Sequence, residues 1–358
     1  MKKDASRLAD DAYLAVIERL CMLYRSTTIR HPSGVSLKTP LLVPSFSSRG
    51  FRFDKRDRSE IRAVFTNTAE ILTESMLVSA YDIAHGHLPK PERFPCTPVL
   101  TIVDSGGYET GADHDYSSIY RHVHKPKAWS LKRLQKVLDA WPSRIPAIFV
   151  NYDRDSVGQN LGKQLTSASK LFSRYPRQMH TFLLKPTGRC KGYLRNTVKL
   201  LEPVVREFGA FSIIGITEKE LGHTMLDRME TVAALRNILD KAGVKSPIQV
   251  FGALDPLSSC LYFLAGAEIF DGLTWLRFAY VGGQCVYPHN YGVLSSGVIG
   301  HDDFIQSEMF SHNYSELRKL QLAMRDFAST NSFAKLKPHD ELIQSAHDSL
   351  IGRIGGGA

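Results

Sequence analysis

Residues 99–109 read Val-Leu-Thr-Ile-Val-Asp-Ser-Gly-Gly-Tyr-Glu, an apolar run that ends abruptly in a carboxylate and a pair of glycines. The run is short, continuous and rich in β-branched residues, which is typical of a strand buried on both faces of a parallel sheet. Paired glycines allow the backbone to approach a ligand closely. The stretch therefore predicts a buried strand whose carboxyl end carries polar chemistry.

Apolar runs of the same kind recur along the chain, bounded by turn residues and separated in many places by helical periodicity. The eight candidate strands comprise residues 41–43, 69–73, 99–103, 147–152, 180–185, 211–214, 248–251 and 267–270. The candidate helices comprise residues 131–141, 194–208, 225–242 and 256–265. This alternation predicts an α/β protein with a (β/α)8 TIM barrel, which needs about 250 residues. The competing architecture is a doubly wound open sheet, but no Gly-x-Gly-x-x-Gly follows the first strand.

The chain has 358 residues, of which 43% are hydrophobic, and this composition excludes a disordered protein. We expect one domain over residues 1–358, with the barrel core at about 38–325. An amphipathic N-terminal helix, a C-terminal helical extension and a flexible glycine-rich tail at 355–358 complete the predicted organisation.

No apolar run approaches the ~18–20 residues that span a bilayer. The five cysteines are scattered and contain no Cys-x-x-Cys, which indicates unpaired thiols in a reducing compartment. We therefore expect a cytoplasmic protein with no membrane association. The net charge of +9 is compatible with a polyanionic partner such as nucleic acid.

Three candidate strands end in aspartate, at Asp104, Asp153 and Asp271, and two end in glycine, at Gly215 and Gly252. A single aspartate in this position is ordinarily a helix cap or a turn residue. Active sites of TIM barrels, however, lie at the carboxyl ends of the strands. Three aspartates at corresponding strand ends therefore predict one shared pocket.

The segment Asp104-Ser105-Gly106-Gly107-Tyr108 resembles the Asp-Ser-Gly-Gly-[Phe/Tyr]-Gln signature of the tRNA-guanine transglycosylase family, the queuine and archaeosine enzymes. Residues 269–277 resemble the family's Phe-Asp-Cys-Val-x-Pro-Thr-Arg signature, and residues 39–44 resemble its first-strand pattern. Tyr152-Asp153 and residues 213–216 fall where the family has its Phe-Asp-Glu motif and its glycine-containing loop. The order and spacing of all five are kept over roughly residues 38–325.

The resemblance implies a base exchange at a glycosidic bond, with no cofactor. It implies Asp271 as the nucleophile at C1′ and Asp104 as the general acid and base. Base binding would involve Asp153, Ser105, Gly106, Gly107, Tyr108 and Gly215, with Asp153 accepting from the base edge, Tyr108 stacking and the Gly215 amide reaching the base carbonyl. Arg277 would contact a phosphate near the site.

Several family features are absent from this chain. Glu109 stands where the signature has glutamine, and residues 185–188 replace a base-contacting Gln-Gly. The zinc motif Cys-x-Cys-x-x-Cys is missing, since Cys285 is the one cysteine after Asp271. One thiolate with scattered histidines makes a poor tetrahedral site, so we expect no metal and no zinc subdomain.

In the tRNA enzymes the zinc element helps to dock tRNA, and this chain lacks its cysteines. The chain therefore resembles instead the DNA-modifying branch of the family, which inserts 7-deazaguanine derivatives into DNA. Residues 44–48 also look like that branch. The expected partners are DNA, a 7-deazaguanine base such as preQ0 and other DNA-modification proteins. The alternatives are a tRNA enzyme, a non-catalytic nucleic-acid-binding family member and an unrelated barrel hydrolase, although no His-Glu-x-x-His is present.

A basic loop follows the first candidate strand. A base in a nucleic acid must leave its stack to enter such a pocket, and phosphate contacts offset that cost. We expect the loop to bind phosphates on the catalytic face, although a solvated charged loop is the ordinary interpretation. Its basic residues are Arg49, Arg52, Lys55, Arg56 and Arg58.

Overall fold

The computed structural model describes residues 22–111, 125–154, 156, 158–188, 193–297 and 303–355. Eight parallel strands close into a barrel. The strands are β1 (Leu41–Phe46), β2 (Ser75–Ser79), β3 (Leu100–Asp104), β4 (Ala147–Val150), β5 (Met179–Leu183), β6 (Ile213–Thr217), β7 (Ile248–Phe251) and β8 (Ile269–Gly272).

Each strand pairs with the next strand along the chain, and β8 pairs with β1 to close the barrel. In that closing pair Asp271 lies opposite Val43, while on its other side Asp271 lies opposite Phe251 of β7. All strands therefore point the same way, and their carboxyl ends form one face. The predicted (β/α)8 TIM barrel is confirmed.

Helices lie between the strands and after them, and the last two form the predicted C-terminal extension. The α-helices are Ile61–Thr68, Ala80–His85, Gly107–Thr110, Leu131–Asp139, Leu161–Phe172, Leu194–Val198, Met225–Lys241, Pro256–Leu264, Thr274–Arg277, Pro288–Ser296, Asp303–Thr330 and Asp340–Gly355. Short 3-10 turns cover Ala69–Ile71, Pro91–Arg93, Val205–Ala210, Glu218–Glu220 and Phe333–Leu336. None of the described helices has both the length and the apolar character that a membrane crossing requires.

Two small antiparallel ribbons lie outside the barrel. Thr28–Arg30 pairs with Ser36–Lys38 before the first strand, and Ala279–Val281 pairs with Gln284–Val286 after the last one. Within the barrel, inward-facing side chains such as Val43, Ile148 and Ile213 form one apolar cluster. A larger cluster fills the space between the strands and the helices. This two-layer burial explains why the strand sequences read as continuous apolar runs.

Two predicted elements are wrong. The second strand is Ser75–Ser79 and not 69–73, because residues 69–71 form a 3-10 turn that continues the preceding helix. A short apolar run is buried equally well by a helix end, so periodicity alone did not separate the two. The predicted helix over 194–208 stops at Val198, with a separate turn at Val205–Ala210. Pro203 lies in the interruption, and a proline removes a helical donor.

The predicted N-terminal helix lies outside the described residues. Of the predicted flexible tail, Gly355 ends the last helix, and residues 356–358 also lie outside them.

Candidate active site

The three aspartates of the sequence prediction lie at the carboxyl-terminal face of the barrel. Asp104 ends β3, Asp153 follows β4 and Asp271 lies in β8. Desolvation raises the pKa of Asp104 to about 7, and the neighbouring carboxylates of Glu109 and Asp153 add to the shift. Asp104 in turn raises the pKa of Asp271. Because such an influence falls off with distance, the three carboxyl groups lie near one another at this face.

Asp271 is almost completely buried, with 4% of its surface exposed. Burial raises its pKa to about 7, although a hydrogen bond from Gln249 works in the opposite direction. Gln249 Nε2 donates to Asp271 Oδ2 at 2.8 Å, and Ser45 Oγ lies 3.4 Å from Oδ1. Sequence reasoning missed both partners, although a glutamine within the apolar run Ile-Gln-Val-Phe was a usable signal.

The Asp-Ser-Gly-Gly turn holds Asp153. Ser105 Oγ donates to Asp153 Oδ1 at 2.6 Å. A Cβ on Gly107 would lie 2.5 Å from the same oxygen, so residue 107 must be glycine for the carboxylate to sit there. Gly106 has a φ of +82°, and a Cβ there would lie 2.6 Å from Tyr81 Cβ. Glycine is therefore required at position 107 because a side chain would clash with Asp153, and at position 106 because the backbone is in the left-handed region.

Lys185 follows β5 and contacts the other oxygen of Asp153. Its Nζ lies 3.1 Å from Asp153 Oδ2, 3.3 Å from Glu220 Oε2 and 3.0 Å from Thr217 Oγ1. The sequence analysis noted Lys185 as a departure from the family pattern but assigned it no role. Only the closure of β4, β5 and β6 side by side brings these four residues together.

Arg277, Tyr108 and Arg49 form a clamp beside the aspartates. Arg277 Nη2 donates to the Arg49 carbonyl at 2.6 Å, and both of its Nη atoms lie 3.4 Å from the Tyr108 hydroxyl. The Arg49 guanidinium lies 4.6 Å from the centre of the Tyr108 ring and donates to the Tyr108 carbonyl. Arg277 is only 3% exposed, so the structure gives it protein partners and little surface for the predicted phosphate contact.

A second pair of acids is buried behind the pocket. Ser47 Oγ donates to Glu109 at 2.5 Å, and the Ser48 amide and hydroxyl both donate to Asp82. Burial, together with repulsion from Asp82, raises the pKa of Glu109 to about 8. Burial likewise raises the pKa of Asp82 to about 7, although the hydrogen bonds from Ser48 act to lower it. Sequence reasoning recognised Glu109 as a departure from the family signature and missed Asp82.

Gly215 lies within β6, opposite Leu183 and Gln249, and its carbonyl accepts from the Leu184 amide. A Cβ at this position would lie 2.7 Å from the Phe251 ring. Packing in the barrel interior is therefore one sufficient reason for glycine here. Phe251 itself, at the end of β7, was not anticipated as part of the site.

The basic loop leaves the carboxyl end of β1 and therefore lies on the same face as the aspartates. Arg52, Lys55 and Arg56 are exposed, whereas Arg49 is half-buried in the clamp. Arg58 is exposed but forms an ion pair with Asp54 at 2.7 Å. The loop thus presents four exposed cationic side chains on the face of the aspartates, and the ion pair with Asp54 engages one of them, Arg58.

Histidines 85 and 87 form a His-x-His pair at the end of the helix after β2, and sequence reasoning overlooked it. Burial lowers the pKa of His85, which favours its neutral form. Among the described residues, however, no group of three histidine, cysteine, aspartate or glutamate side chains could hold a metal ion. We therefore do not propose a metal site at His85 and His87.

The chain matches no protein-family model and no curated protein.

Proposed function

We propose that the protein is a base-exchange transglycosylase that replaces guanine in DNA with a 7-deazaguanine derivative. The observation that carries this proposal is the placement of the Asp271 and Asp104 carboxyl groups at one end of the barrel, where desolvation raises the pKa of each to about 7. Two interacting acids of this kind favour the state in which one is ionised and the other protonated. That state supplies a nucleophile and an acid together.

In the first half-reaction the Asp271 carboxylate attacks C1′, and the bond from C1′ to the guanine nitrogen breaks. Asp104 gives its proton to the departing base. In the second half-reaction Asp104 takes a proton from the incoming base, whose nitrogen attacks C1′ and releases Asp271. The phosphodiester chain remains intact throughout.

Asp153 supports guanine-like bases as the substrate class. A carboxylate accepts hydrogen bonds and does not donate them, which matches the N1–H and exocyclic amine of a guanine edge. The rigid support of Asp153 by Ser105 and Gly107 suits a recognition group, because such a group must keep its orientation before the ligand arrives.

DNA as the substrate is supported by the exposed cations Arg52, Lys55 and Arg56 on the catalytic face. A target base must be flipped from its stack, at a cost of a few kcal/mol, and phosphate contacts offset that cost. The tRNA alternative is tested in the same experiment.

The test is incorporation of labelled guanine or preQ0 into DNA and into tRNA, followed by nucleoside analysis. We expect incorporation into DNA and a covalent protein–DNA adduct that survives denaturation. The Asp271→Asn variant should lose both, whereas Asp255→Asn, at the cap of the helix that follows β7, should keep them. Incorporation into tRNA alone would correct the substrate, and release of guanine without insertion would indicate a glycosylase.

A further inference from the structure

Lys185 contacts Asp153 but has no role in the base exchange proposed above. It is 6% exposed, and its Nζ is surrounded by Asp153, Glu220 and Thr217 at 3.0 to 3.3 Å. Asp153 follows β4, Thr217 ends β6 and Glu220 lies in the turn after β6, whereas Lys185 itself follows β5. The ammonium group therefore lies inside the wall of the pocket.

An ammonium group has three donor hydrogens, and three partners surround this one. Protein atoms therefore accept all three donor hydrogens of Lys185. Such an ammonium group can keep the Asp153 carboxylate in one orientation. Burial lowers the pKa of Lys185, but the carboxylates of Asp153 and Glu220 outweigh this and raise it. The side chain therefore remains cationic at neutral pH.

Asp153 differs from the other acids of the pocket in its surroundings. Asp104, Asp271 and Glu109 have neighbouring acids and hydrogen-bond donors, and burial raises the pKa of each. Asp153 has a lysine ammonium on one oxygen and a serine hydroxyl on the other. The charged groups that face it are Lys185 and Asp104, with Glu220 beyond the ammonium.

We propose that Lys185 is a positioning residue that fixes the orientation of the Asp153 carboxylate and so sets the specificity for bases with a donor–donor edge. This inference rests on the proposed function of the site. The cation offsets the repulsion from Asp104 and fixes one carboxylate oxygen, while Ser105 fixes the other. Without Lys185, the Oδ2 atom of Asp153 loses its cationic partner, and the carboxylate can turn away from the orientation that matches the guanine edge.

The test uses free-base binding by the full chain, measured by calorimetry with 7-deazaguanine and with 7-deazahypoxanthine, which lacks the exocyclic amine. The wild type should prefer 7-deazaguanine by about tenfold or more, the range for a hydrogen bond to a charged group. Lys185→Met should reduce this preference to about threefold or less.

Three variants separate positioning from mere structural support. Lys185→Arg keeps a cation and should keep the preference. Glu220→Gln removes the second carboxylate charge beside Lys185 but leaves the ion pair with Asp153, so this variant should also keep the preference. Lys163→Met removes an exposed lysine from a nearby helix and should change nothing. If Lys185→Met unfolds, Lys185→Gln makes the same comparison with a neutral polar side chain.

The outcomes distinguish this inference from the proposed function. A wild type that discriminates, together with a Lys185→Met variant that keeps the same ratio, would overturn the role of Lys185 alone. Equal losses in Glu220→Gln and Lys185→Met would also overturn it, since they would show a structural tie. A wild type that binds neither base, or binds both equally, would remove the proposed function of Asp153.

Discussion

Gln249 donates a hydrogen bond of 2.8 Å to Asp271 inside the barrel, from a side chain with no exposed surface. The bond joins β7 to β8 at the point where the proposed nucleophile emerges. It fixes one carboxylate oxygen and stabilises the ionised form, against burial that raises the pKa of Asp271 to about 7. Gln249 therefore lowers the pKa of Asp271, whose ionised form the proposed reaction requires.

Replacing Gln249 with methionine should move the acid limb of the kcat/KM profile to higher pH. Asp271 attacks as a carboxylate, so activity rises with pH through its pKa, and loss of the donor raises that pKa further. A hydrogen bond to a charged group contributes about 1.5–3 kcal/mol, which corresponds to roughly one to two pH units. Base-exchange rates measured from pH 5 to 9 test the shift.

Gln321→Met is the matched control, because Gln321 is also buried but contacts Glu74 and the Leu42 amide. This variant should lower the melting temperature without moving the pH profile. A profile that is unchanged in Gln249→Met would contradict the role of Gln249.

Gly107→Ala should abolish most base binding while the fold persists. The new Cβ would lie 2.5 Å from Asp153 Oδ1 and would force the carboxylate out of position. A displacement of about 1 Å at a reacting or binding group can cost about a hundredfold in rate. Exchange kinetics and circular dichroism of the same samples separate a local from a global effect.

Gly352→Ala provides the comparison. Gly352 lies in the last helix with nothing within 4 Å of the added Cβ. Alanine there should stabilise the protein by about 0.5–1 kcal/mol and leave the exchange rate unchanged. A Gly107→Ala variant with normal kinetics would show that Asp153 does not need this space.

The buried acids predict that stability decreases as the pH rises from about 5 to 8. In the folded state burial raises the pKa of Glu109 to about 8 and of Asp104 and Asp82 to about 7, whereas unfolded carboxyl groups titrate near 4. Between these values the folded protein binds more protons than the unfolded chain. The free energy of unfolding must therefore fall with increasing pH in this window.

Glu109→Gln should reduce that slope and raise the melting temperature at pH 8, since the amide cannot ionise. Glu207→Gln, at an exposed turn position, should leave the slope unchanged. Thermal unfolding at several pH values checks both. A slope that is identical in the wild type and Glu109→Gln would show that Glu109 is ionised in the folded protein.

The basic loop predicts salt-dependent DNA binding. A variant with alanine at Arg52, Lys55 and Arg56 should bind DNA more weakly. Its plot of log K against log salt should become less steep, by about 0.9 for each lost phosphate contact. The control changes Arg144, Arg177 and Lys245, which are exposed before β4, β5 and β7 at the opposite face. Equal losses in both variants would indicate a non-specific effect of net charge.

The local sequence predicted much of the barrel. Seven of the eight predicted runs overlap barrel strands, because a strand buried on both faces is written as a continuous apolar run. The run at 69–73 failed because the end of a helix needs the same apolar residues there. The position of Asp104, Asp153 and Asp271 at one face followed from the parallel strand direction alone.

The sequence by itself therefore determined the alternation of strands and helices and the residues that reach the carboxyl-terminal face of the barrel. The tertiary structure decided which side chains meet there. Ser45 and Asp271 are 226 residues apart and Gln249 and Asp271 are 22 apart, yet all three converge because β8 closes between β1 and β7. Local periodicity encodes burial, whereas the partner of a buried charge depends on barrel closure. The contacts of Lys185 with Asp153 and Glu220, on which its proposed role depends, therefore exist only in the folded protein.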